Sequence, residues 1–475
     1  MKILPSAFEN FLTFSKKLLN KLLNFANVMI VMNPVSRFFK FRELNTDFGS
    51  EIRAGLVTFM TMAYIIFVNP IILMGAGVPF ESVLVATCIS SAVTTFLMGL
   101  WARYPIAAAP GMGMNAFFVS VAVGYELAWQ TVMGMVFWSG LIFLVLTLTG
   151  VWDTVIEAIP ATLKYAAACG IGAFIFYLGL SDAGIVTIQK DVMLPAPGNF
   201  KDSLTLISIG GLVLTVALMA RKVKGAILLG ILGTGVLAGI FGEVSFSKPE
   251  RFDYSAFFAL DIFGSVNFVK HPEYLVPLLV FLFFDMFDTV GTMIGIGEQA
   301  GFMRNGVLPR SREILASDAT GTIVGALFGT STVTSYIESA AGISEGGRSG
   351  FANIVTGAMF LLTLVFLLMV MHWGPGMIEN ASQTLCHITA PALIVVGVLM
   401  MSNVTKIEWA KFDEAIPAML VIMLMPLSYR ISMGLASGFV SWPLIKLVKG
   451  EGRKVSRVLY VLAGLIILGF IAVEV

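Results

Sequence analysis

Two aspartates stand three residues apart inside one of the most apolar stretches of the chain. It reads Leu-Val-Phe-Leu-Phe-Phe-Asp-Met-Phe-Asp-Thr-Val-Gly-Thr, with Asp285 and Asp288 near its middle. On a helix that spacing sets both carboxylates on nearly one face. Two close anions repel, so one of them can hold a proton. A third carboxylate, Glu338, follows Gly-Thr-Ser-Thr-Val-Thr-Ser-Tyr at 329–336. Small and β-branched residues there predict irregular backbone, whose free amides and carbonyls are tolerable at membrane depth only beside protein or a cavity. A carboxylate in such a place can receive the N–H groups of a ligand. Asn115 ends a comparable run, Ala-Ala-Ala-Pro-Gly-Met-Gly-Met-Asn at 107–115. Its amide both donates and accepts, and the glycines before it allow close backbone approach.

The elements that must position these groups follow from composition. Of 475 residues 57% are hydrophobic and only 12% charged, with a mean hydropathy of +0.89. Soluble domains carry about 25% charged residues, so about half the expected charge is missing. Apolar stretches of roughly 20 residues, the length of a membrane-crossing helix, recur from Ile52 onward. No short alternating segments suggest a barrel. The fold class is an all-α polytopic membrane protein. Spans are expected at 52–74, 81–101, 106–124, 130–151, 160–180, 203–220, 225–242, 273–297, 313–329, 332–344, 348–371, 386–402, 412–430 and 433–474. The last is either two crossings, at 433–448 and 455–473, or follows one bent element over 412–448. Residues 5–27 alternate Phe and Leu with lysines and asparagines, as an interfacial amphipathic helix or a basic tail would.

Spans three and ten, the two interrupted segments, occupy corresponding positions seven spans apart, and each follows a similar span: Ala86 to Leu97 and Gly99 against Ala316 to Leu327 and Gly329. An odd spacing inverts the second copy. Paired interrupted segments of this kind point to a transporter binding site. Lysines and arginines gather before span one (Arg37, Lys40, Arg42), between six and seven (Arg221, Lys222, Lys224) and between eight and nine (Arg304, Arg310, Arg312). All three groups fall on one side, which places the amino terminus in the cytoplasm.

Other chemistries find no support. His271, His372 and His387 lie at span ends or in loops, and Cys88, Cys169 and Cys386 are isolated packing residues without metal-ligand spacing. No phosphate loop, catalytic triad or metal cluster occurs, so neither a cofactor, a metal nor an enzymatic activity is expected. A net charge of +1 without basic runs gives no reason to expect nucleic acid as a partner.

Four stretches together resemble the AzgA-like purine permeases, relatives of the nucleobase–cation/ascorbate symporters. They are Thr61-Met-Ala-Tyr-Ile65 through Val68-Asn-Pro70, Ala109 to Phe118, Phe287-Asp288 with Gly291-Thr292, and Thr334 to Ser339 with Gly342 and Gly346-Gly-Arg348. The resemblance covers nearly the whole chain from Thr46 onward. It implies the uracil-permease fold, with about fourteen transmembrane helices in two inverted seven-helix repeats. Core-domain segments would be 50–151 and 273–371, gate-domain segments 152–243 and 372–475, with a cytoplasmic segment 1–49 and an extracytoplasmic loop 244–272. It further implies a multi-pass protein of the cell membrane that brings in adenine, guanine or hypoxanthine in symport with protons, and related folds pair through the gate domain as homodimers. Asn115, Asp288, Glu338, Thr334 and Ser335 would meet substrate, and Asp288 and Glu338 would couple protons. Asp285 falls outside the motif. Uracil or xanthine is the alternative cargo and an ion channel the alternative class. A carboxylate-bearing solute would want a central arginine or lysine, and none is present.

Overall fold

The computed structural model describes residues 34–473 apart from 151–159, 190–193, 244–245, 248–252, 268–269, 303–307, 374–376, 379–380 and 429–430. The amphipathic stretch expected at 5–27 lies outside these residues. Helices dominate, as backbone groups in hydrocarbon must be satisfied within their own segment. Seven of the described helical stretches are long and apolar enough to cross a bilayer, and three apolar helices are shorter.

The first span is two helices, α1 (Phe48–Met62) and α2 (Ile65–Met74), parted at Ala63-Tyr64; α3 (Phe80–Leu97) follows. The chain then forms a three-residue strand β1 (Ala108–Pro110) and a short helix α4 (Met112–Gly124), as the interrupted sequence at 107–115 predicts. Next come α5 (Trp129–Thr149), α6 (Ala161–Asp182), α7 (Ser203–Ala220) and α8 (Ala226–Ile240). The second half repeats this order. Helices α9 (Leu275–Gln299) and α10 (Ser311–Phe328) lead to strand β2 (Val333–Ser335) and the single-turn-and-a-half helix α11 (Ser339–Ser344). Helices α12 (Phe351–Trp373), α13 (Ala381–Met401), α14 (Phe412–Ser428), α15 (Ile431–Val448) and α16 (Arg457–Val473) complete it. The stretch 433–474 is thus two helices, and α15 packs back on α14 rather than continuing it. Gly450, in the left-handed region at φ 82°, lies in the link between α15 and α16.

Helices α6, α7, α8, α13, α14 and α15 pack chiefly on one another, and α1 to α5 pack with α9, α10 and α12. Small residues make the closest approaches. A Cβ on Gly172 of α6 would lie 2.7 Å from the carbonyl of Gly397 on α13, and one on Gly397 2.6 Å from that of Gly172. Close backbone contact of this kind replaces the hydrophobic driving force that lipid removes. The two halves are also stitched by Glu51, buried at the start of α1. Its carboxylate accepts the backbone N–H groups of Arg348 at 2.9 Å, Ser349 at 3.1 Å and Ala352 at 3.2 Å, together with the Thr46 hydroxyl at 2.8 Å. A negative group there complements the positive amino end of α12.

Candidate functional site

β1 and β2 come from opposite halves of the chain and pair antiparallel, with Ala108 opposite Ser335, Ala109 opposite Thr334 and Pro110 opposite Val333. The ladder extends at both ends: the Gly111 N–H donates to the Thr332 carbonyl at 3.1 Å, and the Tyr336 N–H to the Ala107 carbonyl at 2.9 Å. Two three-residue strands cannot stand alone in a bilayer, and the helix preceding each one holds it. Thr95 of α3 donates to the Ala108 carbonyl at 3.0 Å, and Thr322 of α10 accepts from the Val333 N–H at 3.2 Å. The Tyr336 hydroxyl closes on the Pro110 carbonyl at 2.6 Å. The crossing is therefore a fixed polar platform from which α4 and α11 diverge.

Three of the expected site residues surround it. Asn115, in the first turns of α4, is fully buried; its Oδ1 accepts from the Ser331 hydroxyl, and its Nδ2 has no partner among the described residues. A buried amide left unpaired costs about 1–3 kcal/mol, so this donor is poised for an acceptor. Glu338 lies between β2 and α11, partly exposed, and its Oε1 accepts the Tyr64 hydroxyl at 2.7 Å. Asp288 of α9 is also partly exposed, and its Oδ2 lies 3.8 Å from the place a Cβ on Gly111 would occupy. Asp288 and Glu338 are close enough to repel one another. A buried donor amide and two partly exposed carboxylates thus flank the strand crossing.

The other expected residues divide by strand alternation. Thr334 shares a 2.8 Å hydrogen bond with Thr289 of α9 and faces the Asp288 side. Ser335 points the opposite way and gives its hydroxyl to Asp318 of α10 at 3.2 Å. Asp285 is also on the scaffold side: it is 1% exposed and accepts the Thr322 hydroxyl at 2.7 Å.

Sequence reading missed Tyr64 and Asp318. Tyr64 sits at the break in the first span, fully buried, and a tyrosine at such an interruption is a detectable signal. Asp318 sits among the small and hydroxyl residues of span nine, where a lone carboxylate at membrane depth is itself a warning. His387 is on α13, close to Gly184 and away from the crossing. Among the described residues no group of three or more histidines, cysteines or acids is placed to hold a metal. An apolar crevice between α9, α15 and α16, walled by Phe283, Phe284 and Phe439, is unsuited to a polar solute.

Residues 49–470 match the Permease family, Xan_ur_permease. The chain is 42% identical to the guanine/hypoxanthine permease PbuO of Bacillus subtilis, over 90% of this chain and 98% of that one. It is 35% identical to the adenine permease AdeQ of Escherichia coli, over 93% and 97%. Among solved structures, the transmembrane domain of the cyanobacterial bicarbonate transporter BicA aligns with a TM-score of 0.60 at 12% identity, covering 82% of this chain and 96% of that one. SLC26A9 aligns with a TM-score of 0.61 at 10% identity, covering 93% and 71%. Likeness at such identity concerns the fold, which is the uracil-permease-like arrangement of inverted repeats.

Proposed function

The chain belongs to the permease family, and on that premise we propose that it takes up purine nucleobases, guanine, hypoxanthine or adenine, by secondary active transport with protons. The observation that carries this reading is the pairing of an unpartnered Asn115 Nδ2 with the accessible carboxylates of Asp288 and Glu338 around one strand crossing. A planar purine offers ring N–H donors to the carboxylates and ring-nitrogen or carbonyl acceptors to the amide. The relatives' names, two of them a guanine/hypoxanthine and an adenine permease, support the same cargo.

In this reading α1–α5 and α9–α12 form a core domain that carries the site, and α6–α8 with α13–α16 form the gate domain against which it moves. Glu338 receives the purine's N–H groups while Tyr64 fixes its orientation. Asn115 supplies the opposing donor. Asp288 takes up a proton from one side of the membrane and releases it on the other, so that loaded and empty carriers differ in charge. The amino terminus faces the cytoplasm, the protein sits among the lipids of the cell membrane, and two copies pair through their gate domains.

The deciding experiment is uptake of labelled hypoxanthine by cells or proteoliposomes bearing the protein, competed by unlabelled adenine, guanine, xanthine and uracil, with and without a protonophore. Saturable uptake that purines inhibit and the protonophore collapses is the expected result. Competition by uracil alone, or ohmic flux without saturation, overturns the reading.

A further inference from the structure

Asp318 has no part in the transport reading above, yet it lies in the middle of α10 with no exposure at all. Its Oδ1 accepts from Ser335, and its Oδ2 is among the buried oxygens without a hydrogen-bond partner. One turn further along α10, Thr322 gives its hydroxyl to Oδ2 of Asp285, whose Oδ1 also lacks a partner. Asp318 and Thr322 share a helix face at i, i+4, so the two carboxylates occupy one dry compartment behind β2, near enough to repel.

The elements packed on α10 are α3, α5, α9, the turn at Met98–Ala102, and β1 and β2. Of their ionisable residues, α9 brings Asp285, Asp288 and, at its far end, Glu298, and α3 brings Cys88 and, at its far end, Glu81; the segment after β2 adds Tyr336 and Glu338. None of these packed elements contains a lysine, arginine or histidine, and the arginine of α10 itself, Arg312, is in its first turn with its guanidinium beside Gly150. Two bare carboxylates in low dielectric without a counter-charge are untenable as a pair of anions. The compartment therefore holds a proton. A route to it is already present: the Thr334 hydroxyl lies beside Asp288, bonds to Thr289 at 2.8 Å, and Thr289 stands beside Asp318.

We propose that Asp318, paired with Asp285, is a second proton-holding site that exchanges its proton with Asp288 through the hydroxyls of Thr334 and Thr289. Each hydroxyl accepts one proton as it gives up its own. One O–H bond breaks at Asp288 and one forms at Asp318, and the negative charge moves from the scaffold compartment to the substrate-facing carboxylate. Binding of a purine N–H at Asp288 would favour that charged state, so cargo and proton position become linked.

The inference rests on proton symport, and its test separates the two. Purified protein is reconstituted in liposomes with an entrapped pH dye, and hypoxanthine is added outside. For the wild type, hypoxanthine entry acidifies the lumen; purine entry without acidification defeats symport itself. Asp318→Asn, a neutral shape-match, is expected to keep hypoxanthine–hypoxanthine exchange while purine-driven acidification slows by about a hundredfold, the scale of a lost proton-transfer group. Acidification at the wild-type rate by Asp318→Asn, in liposomes where the wild type also acidifies, overturns the relay and leaves symport standing. Should that variant not reach the membrane, Thr289→Val keeps the shape and deletes the central hydroxyl. Slowed acidification with intact exchange supports the relay, and wild-type acidification overturns it.

Discussion

Tyr64 and Glu338 are 274 residues apart in the chain and 2.7 Å apart in the protein. The tyrosine occupies the break between α1 and α2, and the glutamate the link between β2 and α11. The Thr61 hydroxyl also reaches the Glu338 carbonyl, at 3.4 Å. The interruption of the first span thus serves to orient a carboxylate belonging to the second repeat. One Glu338 oxygen is held by the phenol, and the carboxylate remains partly accessible for a ligand.

Glu338→Gln is expected to abolish concentrative uptake while the protein still reaches the membrane. The substitution sets an amide donor against purine N–H groups, and a donor left unpaired once the bound ligand excludes water costs about 1–3 kcal/mol. Tyr64→Phe removes only the orienting bond, worth about 0.5–1.5 kcal/mol, and should raise KM by up to about tenfold with little change in maximal rate. Surface labelling beside uptake kinetics checks both. Normal uptake by a well-expressed Glu338→Gln protein removes it from the site.

Asp288→Asn should retain purine exchange but lose accumulation against a gradient, since an amide cannot load and release a proton. Uptake driven by a pH jump, set against equilibrium exchange in the same vesicles, separates the two. A variant that still concentrates purine at the normal rate would assign coupling elsewhere, with Glu338 next.

What was legible in the sequence and what was not divides along the same line. Asn115, Asp288 and Glu338 stand out because polar groups interrupt apolar spans, and burial in lipid makes each such residue costly enough to demand a reason. The strand character of 108–110 and 333–335 was legible only as irregularity, since the pairing joins segments more than two hundred residues apart. The resemblance set Asp288 apart from Asp285, but their different surroundings were not legible from spacing. Three residues of spacing put them on nearly one face, and only the neighbours, Thr322 against the one and Gly111 against the other, set their surroundings apart. Ser335 likewise looked equivalent to Thr334, until strand alternation sent it to Asp318.

Cysteines placed at Lys222 and at Asp253 should be labelled from opposite faces of the membrane, the first from the cytoplasm and the second from outside. The expectation rests on the lysine and arginine bias of the short loops. Intact cells treated with a membrane-impermeant thiol reagent, on a cysteine-free background, give the answer; reversed labelling reverses the assigned direction of transport.

Lys224, in the link between α7 and α8, pairs with Glu345 just after α11 and holds its carboxyl below the usual range. With a lowered value, the pair is complete at neutral pH and is lost only as pH falls through that lowered value. Under the proposed domain division it spans gate and core, so it favours the conformation seen here. Exposed pairs are weak and screened by salt. Lys224→Gln should therefore change the exchange rate by less than about fivefold and abolish its salt dependence. A salt response equal to the wild type's in Lys224→Gln would show that the pair does not bias the cycle.

Gly111→Ala should damage the site by crowding rather than by strain, and a second change should repair it. Gly111 has an ordinary backbone, φ −76° and ψ 123°, so alanine meets no conformational penalty there. Its Cβ, however, would stand 2.8 Å from Cγ2 of Thr334, 3.6 Å from Cγ of Met114 and 3.8 Å from Oδ2 of Asp288. Thr334 cannot swing aside, because it is buried in the strand pair and bonded to Thr289. Overpacking of this kind costs about 1–3 kcal/mol, read here as a five- to hundredfold loss in uptake at limiting purine, about 1.4 kcal/mol for each tenfold. Thr334→Ser deletes the offending methyl and keeps the hydroxyl, so alone it should be close to neutral. In the double variant Gly111→Ala, Thr334→Ser the methyl that clashes is gone, and uptake should recover most of the loss. The cycle then gives a coupling of about 0.5–3 kcal/mol, the range for residues in contact. Strict additivity of the two changes would mean that the tight approach of the first repeat's glycine to the second repeat's threonine does not shape the site.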